Sequence, residues 1–136
     1  MAQTIDQAKT GDFENVAVIG FGLIGASFAA ALRAANPSAQ VMAVDTDLAT
    51  RVEAVNRGWA TATAAPDAAE FRAFIEDGCD LVVLATPVSV VEGYLKDLAE
   101  WGYRGIITDT ASTKSRIIEM AAHTLPYPQN FVPGHP

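Results

Sequence analysis

Four groups of residues in this chain could do chemistry. Gly20, Gly22 and Gly25 stand as G-x-G-x-x-G within "VAVIGFGLIGAS". Asp45 closes the stretch "QVMAVD". The segment "TDTASTKS", residues 108–115, crowds hydroxyls around one carboxylate and one lysine. Finally, "FVPGHP", residues 131–136, carries His135 behind a Pro-Gly turn.

The glycine spacing alone is a weak signal, but its context is specific. It follows an apolar β-branched run, opens an Ala/Leu-rich helix, and has Asp45 about twenty residues beyond it, which is the setting of a dinucleotide-binding turn. Gly20 permits the tight turn. Gly22, with no Cβ, lets a pyrophosphate approach the backbone. Gly25 lets the helix pack closely on the sheet. The free N–H groups that open the helix, at Leu23 and Ile24, then hold phosphate. Asp45 can accept hydrogen bonds from the adenosine ribose hydroxyls, and its charge opposes the 2′-phosphate of NADP. The nearest downstream cation, Arg51, lies inside the next helix. NAD is therefore the expected cofactor, with NADP disfavoured. No Gly-Lys-Ser/Thr follows the glycines, so a P-loop is not available.

Ligands of such sheets bind outside the carboxyl ends of the strands. Three further segments should reach that crevice. Thr86 and Pro87 would lie near the nicotinamide ribose, or else simply end a strand. Ser112 is a candidate for capping the helix after "TDTAS" and for facing a substrate. His135 is either a surface histidine or an imidazole delivered to the crevice, and spacing alone leaves both open. His123 needs no function, because a cation in a last helical turn complements the helix dipole.

The elements that must position these groups alternate. Residues 16–20, 40–45, 60–64, 79–87, 105–109 and 130–134 read as strands. Residues 23–35, 48–57, 67–76 and 90–100 read as helices, as does a segment capped by Ser112 or Thr113 and running to about His123. Asn36-Pro37 stops the first helix and Gly58 closes the second. Near-continuous apolar strands interleaved with helices predict an α/β fold: a doubly wound, mostly parallel sheet of about six strands, of the Rossmann dinucleotide-binding type. Residues 1–14 read as a mobile lead-in and 15–136 as one domain.

Composition narrows the function classes. The chain has 136 residues, half of them apolar, and a net charge of −7. Its nine Lys and Arg are scattered, which excludes the basic stripe of a nucleic-acid surface and a polybasic membrane patch. Cys79, the single cysteine, excludes an internal disulfide and a cysteine-rich zinc site. No metal site is expected. No apolar run is long enough to span a bilayer, and the acidic residues before position 16 do not fit a secretory signal. A cytoplasmic location is expected.

Taken together, "VAVIGFGLIGASFAAALR", "DTASTKS" and "FVPGHP" resemble the N-terminal domain of the prephenate dehydrogenase family, which includes arogenate and cyclohexadienyl dehydrogenases. The resemblance spans residues 15–136. It implies NAD-dependent oxidative decarboxylation of prephenate or arogenate, giving 4-hydroxyphenylpyruvate or tyrosine. In that reading His135 accepts the proton of the substrate hydroxyl, and Ser112 bonds the same hydroxyl or orients the imidazole and nicotinamide. The resemblance also implies a C-terminal helical domain, absent from this chain, that builds a homodimer and much of the substrate pocket. Two other readings fit the fold: the cofactor domain of another dehydrogenase, such as a β-hydroxyacid type, and a nucleotide-sensing module without catalysis.

Overall fold

The computed structural model describes residues 13–111 and 114–134. Six strands form one sheet: β1 (Asn15–Ile19), β2 (Gln40–Val44), β3 (Ala62–Ala64), β4 (Leu81–Leu84), β5 (Ile106–Asp109) and β6 (Phe131–Val132). Five helices join them: α1 (Leu23–Ala35), α2 (Leu48–Asn56), α3 (Ala69–Glu76), α4 (Val88–Glu100) and α5 (Lys114–Thr124). The spatial order is β3-β2-β1-β4-β5-β6, and every pairing is parallel. The strand order turns back between β1 and β4, which makes that junction the place for a ligand.

Alternate strand residues serve opposite faces. Ala17, Ile19, Met42, Val44, Val82, Leu84 and Ile107 pack with α3, α4 and α5 through Phe71, Leu95, Leu98 and Ile117. Val16, Val18, Val41, Ala43, Leu81 and Val83 pack with Ala29 and Leu32 of α1 and Ala54 of α2. Burial on both faces explains why these strands read as apolar runs rather than as alternating ones.

The strands are shorter than the sequence predicts. The run expected at 79–87 pairs only over Leu81–Leu84, because Thr86-Pro87 turns the chain into α4, with Pro87 at its N-cap. The run expected at 130–134 pairs only over Phe131–Val132, since a 3-10 turn, Pro128–Asn130, precedes it. α3 starts at Ala69 rather than at residue 67, and α4 starts at Val88 rather than at residue 90. Most of the lead-in and the cap of α5, at Ser112 or Thr113, lie outside the described residues.

Cys79 sits in the core two residues before β4, its thiol donating to the Leu81 carbonyl at 3.3 Å. Burial pushes this thiol up to about 11 from an ordinary 9.0, and burial also raises Tyr103. Both groups hold their protons more tightly folded than unfolded. The stabilising effect of the Cys79 thiol is therefore complete below pH 9 and is lost as pH rises towards 11, and that of Tyr103 begins to be lost only above 10.0. Denaturant melts across that window should show falling stability. Cys79→Ala should flatten the fall, at the cost of a small cavity.

Candidate nucleotide-binding site

The site is built where β1 hands over to α1. Gly20 follows β1 with φ +88, a conformation in which side chains are strained. A Cβ there would also sit 2.7 Å from the Ala85 carbonyl oxygen and 2.8 Å from Thr86 Cγ2. The Gly20 N–H donates to the Val44 carbonyl at 2.8 Å, and Ala85 N–H donates to the Ile19 carbonyl at 2.8 Å. The loops after β1, β2 and β4 are thus sewn together at the switch point. Gly25 packs against this turn so closely that a Cβ would collide with the Gly20 carbonyl oxygen and press on Val18 Cγ1 at 3.2 Å.

Gly22 is different. Its backbone, φ −74 and ψ −160, suits any residue, and a Cβ would meet nothing within 4 Å. Neither conformation nor packing within the protein calls for glycine. What a side chain would fill is the space in front of the α1 N-terminus. There the first intrahelical bond is Ala26 N–H to the Gly22 carbonyl, at 2.9 Å, so the N–H groups of Leu23, Ile24 and Gly25 precede it. Leu23 is 85% exposed and Ile24 53%, although both are large and apolar.

A cavity of about 400 Å³ opens beside the turn, lined among others by Gly20, Gly22, Asp45, Thr86, Val90 and Tyr94. Thr46 and Pro87 complete its rim. Thr86 Oγ1 is buried and finds no hydrogen-bond partner in the protein. Val90 and Tyr94, one turn apart on α4, give the cavity an apolar wall that sequence reasoning missed; the only hint was their i, i+4 spacing. Neither Leu23 nor Ile24 lines it.

Asp45 does more than the sequence suggests. Its Oδ2 accepts from the Phe21 N–H at 2.8 Å, and its Oδ1 accepts from the Asp47 N–H at 2.9 Å. It staples the glycine turn to the end of β2, with lone pairs left on each oxygen for a ribose hydroxyl. Arg51 lies inside α2, as expected, and its Nη1 reaches back to donate to the Asp45 carbonyl at 2.7 Å.

The shape is that of a dinucleotide cradle, and sequence comparison agrees. Residues 28–136 match the family described as "Prephenate dehydrogenase, nucleotide-binding domain". The chain belongs to that family. The matched span begins after the glycine turn, so the turn geometry and the family match support each other independently. Over 126 residues the chain is 31% identical to the prephenate dehydrogenase of Bacillus subtilis, and over 129 residues 30% identical to that of Lactococcus lactis. Each alignment covers 90% of this chain but only 32% and 34% of those relatives, so the chain spans about a third of their length. The crystal structure of prephenate dehydrogenase from Aquifex aeolicus in complex with hydroxyphenyl propionate and NAD+ superposes with a TM-score of 0.79 at 26% identity. It covers 90% of this chain and 41% of that one.

Within this prephenate dehydrogenase domain the structure adds a carboxylate to those expected. Asp109, at the end of β5, is 2% exposed. Its Oδ2 accepts from the Ala111 N–H at 2.9 Å and its Oδ1 from the Gly134 N–H at 3.2 Å. One buried carboxylate therefore ties the "TDTAS" loop to the "PGHP" segment. Gly134 is pressed against the Asp109 carbonyl oxygen and has no room for a Cβ. The sequence showed a carboxylate here but not its partner, which lies 25 residues on. The candidate catalytic residues Ser112 and His135 lie outside the described residues, each next in the chain to one of the two residues that Asp109 holds. Among the described residues no group of His, Cys, Asp and Glu could hold a metal ion, and no helix is long and apolar enough to cross a membrane.

Proposed function

We propose that this chain is the NAD-binding part of an enzyme that oxidatively decarboxylates prephenate or arogenate in tyrosine formation. The observation that carries the reading is Gly22: a glycine with ordinary dihedrals and open space above it, facing the unpaired N–H groups of α1. That arrangement suits a pyrophosphate and serves no internal purpose. Gly20, Gly22, Leu23, Ile24 and Gly25 would hold the phosphates, Asp45 the adenosine ribose, and Thr86 and Pro87 the nicotinamide side. NAD, when bound, supplies the hydride acceptor.

The remaining chemistry falls to the chain's own side chains. His135 would take the proton from the ring hydroxyl as hydride leaves the same carbon, a task suited to a neutral imidazole. Loss of the ring carboxylate as CO₂ then leaves an aromatic ring. Ser112 would bond that hydroxyl or orient the imidazole. A helical domain, of the kind the family resemblance implies, would contribute the cationic groups for the substrate carboxylates and a homodimer contact. A cytoplasmic, water-soluble enzyme is the corresponding location. In the whole gene product, NADH absorbance should rise with prephenate or with arogenate. Turnover with neither contradicts the assignment. There, His135→Asn should lower kcat by about a hundredfold or more while NAD affinity stays within a few fold.

A further inference from the structure

We propose that Asp109 is a positioning residue of the reaction: one buried carboxylate that sets Ser112 and His135 relative to each other and to the cofactor crevice. The inference rests on the dehydrogenase reading above and deepens it. Three observations carry it. The ladder between β5 and β6 is two residues long, Ile107 with Phe131 and Thr108 with Val132. In that register Asp109 would next meet Pro133, which has no N–H to continue the ladder. The Asp109 side chain takes over there, its Oδ1 accepting from the Gly134 N–H at 3.2 Å. Its Oδ2 accepts from the Ala111 N–H at 2.9 Å, so the same carboxylate also holds the loop that leaves β5. That loop is tied to the crevice as well. The Thr110 N–H donates at 3.1 Å to the carbonyl of Leu84, the last residue of β4, two positions before Thr86.

The two anchored points are the ones that matter for the chemistry. Ala111 precedes Ser112 in the chain, and Gly134 precedes His135. Consecutive Cα atoms are about 3.8 Å apart, so each candidate group follows its anchor by a single peptide unit. A carboxylate offers two acceptor oxygens and no donor, which lets one side chain serve two main-chain N–H groups at once. The Gly134 anchor has little slack, because a Cβ there would collide with the Asp109 carbonyl oxygen and meet Thr108 Oγ1 at 3.1 Å. Asp109 itself is 2% exposed and so touches no substrate. It acts only through the residues it holds, and a reacting group displaced by about 1 Å can lose about a hundredfold in rate.

The test is a double-mutant cycle of Asp109→Asn and His135→Asn in the whole gene product, with prephenate and with arogenate as substrates. All four proteins are assayed well below their melting temperatures and titrated with NAD+. Asp109→Asn should lower kcat about ten- to hundredfold while NAD+ affinity stays within about twofold. In the His135→Asn background the same change should cost less than about threefold, because a group that acts through the imidazole then has nothing left to place. A carboxylate that only supports the fold would lower the melting temperature and let the two kcat losses multiply. Multiplying losses overturn the proposal, and so does a kcat for Asp109→Asn within about threefold of the unmodified enzyme, or a loss confined to NAD+ affinity. If Asp109→Asn does not fold, Asp109→Glu takes its place in the cycle, keeping both oxygens but moving them by one methylene. Absence of turnover by the unmodified enzyme with either substrate overturns the dehydrogenase reading instead, and that control tells the two failures apart.

Discussion

Gly22→Val is expected to abolish dinucleotide binding while leaving the fold intact. The backbone at Gly22 is extended, as valine's can be, and the added Cβ would meet no protein atom within 4 Å. It would instead occupy the space before the α1 N-terminus. Keeping a pyrophosphate from even two of those N–H groups forfeits charge-assisted hydrogen bonds of about 1.5–3 kcal/mol each. A loss of affinity of about a hundredfold or more follows. The melting temperature should stay within a degree or two of the unmodified chain, or about 0.5 kcal/mol. Gly25→Val should behave in the opposite way. Its Cβ would run into the Gly20 carbonyl oxygen, which is backbone and cannot swing aside. A destabilisation of about 3 kcal/mol, the upper end for overpacking, is expected, with binding lost as a consequence of the damaged turn. Measuring melts and titrations together on the two variants separates a glycine needed by a ligand from one needed by the fold.

The second large effect is expected at Asp109. Asp109→Ala removes the acceptor of two main-chain N–H groups, on Ala111 and Gly134, at the end of a buried strand. Each N–H left without a partner costs about 1–3 kcal/mol, so a total near 2–5 kcal/mol is expected from denaturant melts. Asp109→Asn retains one acceptor oxygen and should cost about half as much. Amide exchange at Ala111 and Gly134 should accelerate more than exchange in β1 or β2, because the loss is confined to the edge formed by β5 and β6. Uniform acceleration across the sheet would contradict the local role assigned to this carboxylate.

The doubly wound architecture was legible because its signals are local and repeated. A β-branched run, a glycine turn and an Ala/Leu helix each declare themselves within a dozen residues. The parallel sheet follows because a helix stands between each strand and the next. The tasks of Gly20 and Gly25 were equally legible, since the G-x-G-x-x-G spacing encodes a tight turn and a close helix approach. Strand ends were read too long at Thr86-Pro87 and at Pro133-Gly134. The chain stays extended in composition there after pairing has stopped, and only the register of the neighbouring strand decides where a ladder ends.

What the sequence hid was long-range pairing of polar groups. The Asp45 carboxylate meets the Phe21 N–H across 24 positions, and Asp109 meets Gly134 across 25. Neither contact has a local signature. Arg51 illustrates the same limit at shorter range. Helical spacing puts it on α2, but the length of its side chain lets it return to Asp45, six residues earlier. The apolar wall made by Val90 and Tyr94 was similarly mute, because an exposed valine and a tyrosine on a helix carry no motif.

The most direct test of the central claim is a ¹⁵N-labelled titration of this chain with NAD+, following backbone amides. Saturable shifts are predicted at Gly20 to Gly25, at Asp45 and Thr46, and at Thr86, with dissociation in the micromolar-to-millimolar range. Amides on the far side of the sheet, at Cys79 and Gly105, should stay still. No saturable shift at the glycine turn, or shifts centred elsewhere, would contradict the account.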